Sequence, residues 1–122
     1  MVSPSFPADP ESAGAARAFA RAACELWRCD EMADSVLLVT SELVTNATTH
    51  ARSRCELTVR LGPDVIRIEV FDDSDRIPSP LEVDHDAEEG RGLFLVAALA
   101  RSWGIDPVEN GKVVWAELAR MQ

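Results

Sequence analysis

Glu42 and Asn46 lie four residues apart in the stretch Ser41-Glu42-Leu43-Val44-Thr45-Asn46-Ala47. On a helix, four residues advance by about 40° net, which sets the carboxylate and the carboxamide one turn apart on a shared face. Such a pair offers a base and an uncharged oxygen ligand for a hard cation. His50 continues that edge, whereas Val36, Leu37, Leu43, Val44 and Ala47 gather on the other side. The helix can therefore anchor in a core and present its polar edge to a cleft. Taken alone, the segment fits a solvated helix edge better.

Two further patterns follow in the chain. Val70-Phe71-Asp72-Asp73-Ser74 leaves an apolar run with paired carboxylates, and Gly90-Arg91-Gly92-Leu93 opens another apolar run. Asp72 lies where the strand ends, and from the loop alone Asp72, Asp73 and Asp75 read as a solvated turn or a weak cation site. Glycines at a helix start leave N–H groups free to face phosphates, with the helix dipole adding attraction. Gly90-x-Gly92 by itself is weak, and it is no dinucleotide fingerprint, because an acidic loop rather than a strand precedes it. His50 and His85 have no metal-site partners at a persuasive spacing.

The elements that must position these residues are legible from periodicity. Residues 1–10 carry three prolines and read as partly extended. The stripe Ala16, Phe19, Ala20, Ala23, Leu26 and Trp27 predicts a helix over 13–27, broken by Cys29-Asp30-Glu31. Asp30 is placed to cap a second helix over 31–50. Alternation predicts strands over 52–61 and 65–71, joined as a hairpin by Gly62-Pro63-Asp64. The acidic segment 72–89, with Pro78 and Pro80, has neither period and reads as a surface loop. A helix over 93–102 is apolar nearly all round, hence buried, with Phe94 and Leu95 in the core. Strands over 103–108 and 112–118 close a hairpin at Asn110-Gly111, a dipeptide that tolerates positive φ, and Pro107 marks an edge. Strands and helices without strict βαβ alternation predict a two-layer α/β sandwich, a mainly antiparallel sheet with helices on one face.

With 122 residues, of which 47% are hydrophobic, the chain suits a single domain over 1–122. A net charge of −9 disfavours a nucleic-acid partner, whose phosphates call for Lys and Arg, yet leaves room for a nucleotide held by magnesium and backbone N–H groups. Cys24, Cys29 and Cys55 form an odd set without CxxC spacing, the pattern of buried free thiols in a reducing cytoplasm. The longest apolar stretch, 93–100, falls far short of the ~20 residues that span a bilayer. The expected location is the cytoplasm, with no membrane contact.

Taken in order, Glu42-x-x-x-Asn46, Asp72-Asp73-Ser74 and Gly90-Arg91-Gly92-Leu93 resemble the N, G1 and G2 boxes of the Bergerat-fold (GHKL) ATP-binding superfamily, which includes DNA gyrase, MutL and the histidine kinases. Within it, Glu42 to Ala47, Gly90 to Leu93, Trp103-Gly104 and Gly111-Lys112-Val113-Val114-Trp115 look like the anti-sigma-factor serine/threonine kinases. The resemblance implies Asn46 as the magnesium ligand and Glu42 as the general base acting on a partner's serine. It implies an ATP pocket touched by Asn46, Asp72, Ser74, Ile77, Gly90, Arg91, Gly92, Leu93 and Lys112, with Asp72 accepting the adenine amino group and 72–89 forming the ATP lid. The family's G1 box reads Asp-x-Gly-x-Gly, and here Ser74 and Arg76 replace both glycines; Val113 stands where related chains often carry Thr.

The function implied by the resemblance is partner switching. The protein would phosphorylate a serine on a STAS-type anti-anti-sigma protein, releasing it, and would sequester a sigma factor when free, commonly as a homodimer. Two alternatives stand beside it. One keeps the fold and partner grip as a catalytically inactive binding or nucleotide-sensing module; the other is a metal-dependent hydrolase built on Asp72, Asp73 and Asp75.

Overall fold

The structure, a computed structural model, describes residues 3–74 and 88–120, with side chains in the second stretch from Gly92 onward. In chain order it contains β1 (Ser5–Phe6), α1 (Ser12–Leu26), a 3-10 turn (Asp30–Met32), α2 (Ala33–Thr45), a π-helical turn (Asn46–His50), β2 (Cys55–Leu61), β3 (Val65–Asp72), α3 (Glu88–Leu99), β4 (Ser102–Val108) and β5 (Gly111–Ala119). The strands form one antiparallel sheet in the order β1-β2-β3-β5-β4. The expected two-layer α/β sandwich is the architecture observed.

Alternation along the strands decides which face is covered. Leu57 and Val59 of β2, Ile66, Ile68 and Val70 of β3, and Val114, Ala116 and Leu118 of β5 are buried against Ala16 and Ala20 of α1 and Val36, Val39, Leu43 and Val44 of α2. Each Leu, Ile or Val withdrawn from water in this way contributes roughly 1.5–3 kcal/mol. Asp72 and Lys112 continue the same inward-facing rows at the strand ends.

Helix α1 ends on a left-handed residue, Arg28 (φ 57°). The Cys29 N–H donates to the Cys24 carbonyl and the Arg28 N–H to the Glu25 carbonyl, at 2.8 and 3.2 Å. These bonds satisfy carbonyls that a helix end leaves open, the geometry usually reserved for glycine. The second helical segment is not the continuous helix expected over 31–50. It begins as the 3-10 turn, in which Asp30 is a member rather than a side-chain cap, and widens into the π-helical turn at Asn46. There the Ala51 N–H reaches back to the Asn46 carbonyl at 2.9 Å, and Arg52 (φ 54°) reverses the chain, so β2 starts at Cys55 instead of residue 52.

Helix α3 also departs from expectation. It starts at Glu88, upstream of the glycines, so Gly90 and Gly92 lie within the helix rather than at its mouth. Leu93 and Val96 face the core, while Phe94, Leu95 and Leu99 are exposed, at 55%, 40% and 39%. From Gly92 onward the helix is thus amphipathic, with one stripe buried. In the β4–β5 turn Asn110 (φ 68°) alone takes the positive φ. Gly111 is required for a different reason, since a Cβ there would overlap the Asp72 carbonyl oxygen. Pro107 sits on β4, an edge strand, as expected.

Candidate functional site

Helix α2 carries Glu42 and ends at Asn46, whose N–H still donates to the Glu42 carbonyl. Leu43 and Val44 are buried on the opposite side and pin this turn to the core, leaving Glu42 and Asn46 half-buried. Helix α3 brings Gly92 against both. A Cβ on Gly92 would stand 2.6 Å from Glu42 Oε2 and 3.7 Å from Asn46 Oδ1. Any larger residue would press into the carboxylate, so the present place of the Glu42 side chain depends on glycine here. Leu93, next in sequence, is buried.

The Asn46 amide has a second distinguishing property. Its Nδ2 is buried and has no hydrogen-bond partner among the described residues. A buried amide N–H without an acceptor costs about 1–3 kcal/mol, and unsatisfied groups of this kind gather where a ligand completes them. The π-helical turn that begins at Asn46 is itself a geometry common at functional sites.

The second half of the site lies at the ends of β2, β3 and β5. Antiparallel register places Asp72 opposite Cys55 on one side and Lys112 on the other. Lys112 Nζ donates to Asp72 Oδ1 at 2.8 Å, and the Ser74 N–H donates to the same oxygen at 2.9 Å. Both side chains of the ion pair are almost fully buried, at 4% and 2%. Cys55, packed beside them, has its thiol pushed up to about 11, first by burial and then by the Asp72 charge. Asp73 is exposed and turned to a different partner: Ser53 Oγ donates to its carboxylate, and the Asp73 N–H donates to Ser53 Oγ at 3.1 Å. A cleft of about 270 Å³ lies against Asp72, between Arg54, Cys55, Glu56, Phe71 and Asp73. A larger one of about 500 Å³, between α1 and β2 at Phe19, Leu26, Trp27 and Leu61, touches none of the site residues.

Of the residues singled out in the sequence, Glu42, Asn46 and Gly92 converge, and Asp72, Ser74 and Lys112 converge. Lys112 meets the aspartate. Gly90 and Arg91 lie in the first turn of α3. Ile77, with Asp75, Arg76 and 78–87, lies outside the described residues. Among the described residues no three His, Cys, Asp or Glu side chains are grouped to hold a metal, and no helix is long and apolar enough to cross a membrane. Sequence reading missed Ser53, which ties the π-helical turn to the end of β3, and the proximity of Cys55 to Asp72. The Cys55 position was open to inference, because the β2–β3 hairpin register follows from the Gly62 turn.

The donor set suits a magnesium nucleotide. An uncharged amide oxygen at Asn46 matches a hard cation that keeps several waters and shares phosphate oxygens, and Asp72 is a buried acceptor suited to a base amino group. Comparison with curated proteins returned no match. Among solved structures, the chain is similar to the Erythrobacter litoralis EL346 blue-light activated histidine kinase, with a TM-score of 0.57 and 24% identity over 75% of this chain. The chain spans 31% of that kinase's length, and at this identity the likeness is one of fold. Residues 6–118 match the family described as the histidine kinase-like ATPase domain, nearly the whole chain, and the protein belongs to that family of ATP-binding domains.

Proposed function

We propose that this domain binds ATP with magnesium and transfers the γ-phosphoryl group to a serine of a STAS-type anti-anti-sigma partner, holding a sigma factor when that partner is absent. The observation that carries the reading is the close approach of Gly92 to Glu42 and Asn46, which brings α3 against the residues that would serve as base and metal ligand. A serine hydroxyl must lose a proton as it attacks, and Glu42 is the carboxylate placed to take it. Bound magnesium would neutralise phosphate charge, and phosphoryl transfer asks of the protein mainly positioning and electrostatics. Asn46 would supply the protein oxygen to the metal, and Asp72 would accept the adenine amino group. Pairing of two copies through this domain belongs to the same proposal.

The test is transfer of labelled phosphate from Mg-ATP to a purified STAS-domain protein, with the acceptor residue located by mass spectrometry. Phosphoserine on the partner is the expected result. A second reading, a nucleotide-sensing module without turnover, draws on the buried Asp72–Lys112 pair and on Ser74, which would form the base-reading end of the site. ATP binding with no phosphate transferred would establish that reading in place of the first.

A further inference from the structure

We infer that Lys112 is a second base-reading residue, its ammonium donating to the purine ring nitrogen N1 while Asp72 takes the adjacent 6-amino group; this rests on the nucleotide reading above. Three features of the pair lead there. Lys112 and Asp72 face each other across the β3–β5 register, on the side of the sheet covered by helices. Both internal donors, Lys112 Nζ and the Ser74 N–H, converge on Oδ1, so among the described residues Oδ2 receives neither bond. The ammonium has three N–H groups, and among the described residues Asp72 is its one hydrogen-bond partner.

A buried ammonium with two donors unused among the described residues is a costly arrangement, and a buried carboxylate oxygen that receives neither bond has acceptor capacity left for a ligand. The Watson–Crick edge of adenine presents a donor, the 6-amino group, immediately beside an acceptor, N1. Its complement is one acceptor beside one donor, which is what Asp72 Oδ2 and Lys112 Nζ supply. Lysine thereby adds a charge-assisted bond at this end of the site, far from any role in holding phosphate. Losing a bond of that class weakens binding by about tenfold to a hundredfold.

The experiment is calorimetric titration of Mg-ATP and of its 1-deaza analogue, in which N1 is replaced by C–H, into the wild type, Lys112→Met and Asp72→Asn. The wild type is expected to bind the analogue about tenfold to a hundredfold more weakly than ATP. Lys112→Met should bind the two alike, at the wild type's affinity for the analogue. Equal affinity of the wild type for both nucleotides overturns the inference, and that arm involves no substitution that could unfold the protein. If ATP affinity falls in Asp72→Asn while N1 makes no difference, the nucleotide reading survives and the role of Lys112 falls. If the wild type binds neither nucleotide at millimolar concentration, both fall together.

Discussion

Gly92 approaches Glu42 so closely that a methyl group on its Cα would stand 2.6 Å from the carboxylate oxygen Oε2. Two opposing effects decide what Gly92→Ala does. Alanine within a helix gains about 1 kcal/mol of backbone propensity over glycine, and the obstructing atom is the end of a flexible side chain that can swing aside. Stability should therefore hold or rise slightly, while the displaced carboxylate loses its place. Thermal unfolding of Gly92→Ala is expected at or above the wild-type midpoint, with phosphate transfer reduced at least about tenfold. A variant that keeps full transfer would show that the contact does not position Glu42.

Glu42→Gln keeps the shape of the side chain and removes its basicity. Phosphate transfer should fall by about 10²–10⁴, with Mg-ATP affinity within about twofold of wild type, since the proposed role begins only when the acceptor hydroxyl reacts. Single-turnover kinetics beside a binding titration separate the two quantities. Loss of both together would mean that Glu42 holds nucleotide or metal instead.

Local period accounts for what the sequence revealed. The small-residue stripe of α1, with Ala16, Ala20 and Cys24 inward, put that helix within a residue of its observed bounds. The alternation of β2 and β3 fixed their hairpin. The π-helical turn escaped notice because Asn46-Ala47-Thr48-Thr49-His50 continues the helical pattern of α2 and nothing local announces a wider turn. The glycines suggest a boundary for α3 that the structure does not respect, whereas Glu88 and Glu89 are the acidic residues a first turn favours. The pairing of Lys112 with Asp72 joins residues far apart in sequence across β3 and β5, and only the sheet order reveals it.

The Asp72–Lys112 pair should also show in stability. With both side chains nearly withdrawn from water, removing one partner leaves the other charge uncompensated, a change that typically costs about 3–5 kcal/mol. Lys112→Met is expected to lose that much in urea unfolding. Joined with Asp72→Asn it should recover a large part of the loss, because no buried charge then remains. Additive losses in the double variant would mean that the two groups do not depend on each other.

Cys55 supplies a pH dependence with a definite sign. Burial, and then the charge of Asp72, raise its thiol from the ordinary 9.0 to about 11 in the folded protein. Above pH 9 the unfolded chain releases the thiol proton while the folded chain retains it, so the unfolded state binds fewer protons and stability falls as pH rises. The contribution is complete below pH 9 and is lost as pH rises through about 11, with a limiting slope of about 1.4 kcal/mol per pH unit. Urea unfolding between pH 8 and 11 should show a steeper alkaline decline for the wild type than for Cys55→Ala. The Ala variant begins lower, having lost a buried sulfur, yet its curve should be flatter. Parallel curves would place the alkaline loss elsewhere, and rapid modification of Cys55 by a thiol reagent at pH 8 in the folded protein would contradict the raised value directly.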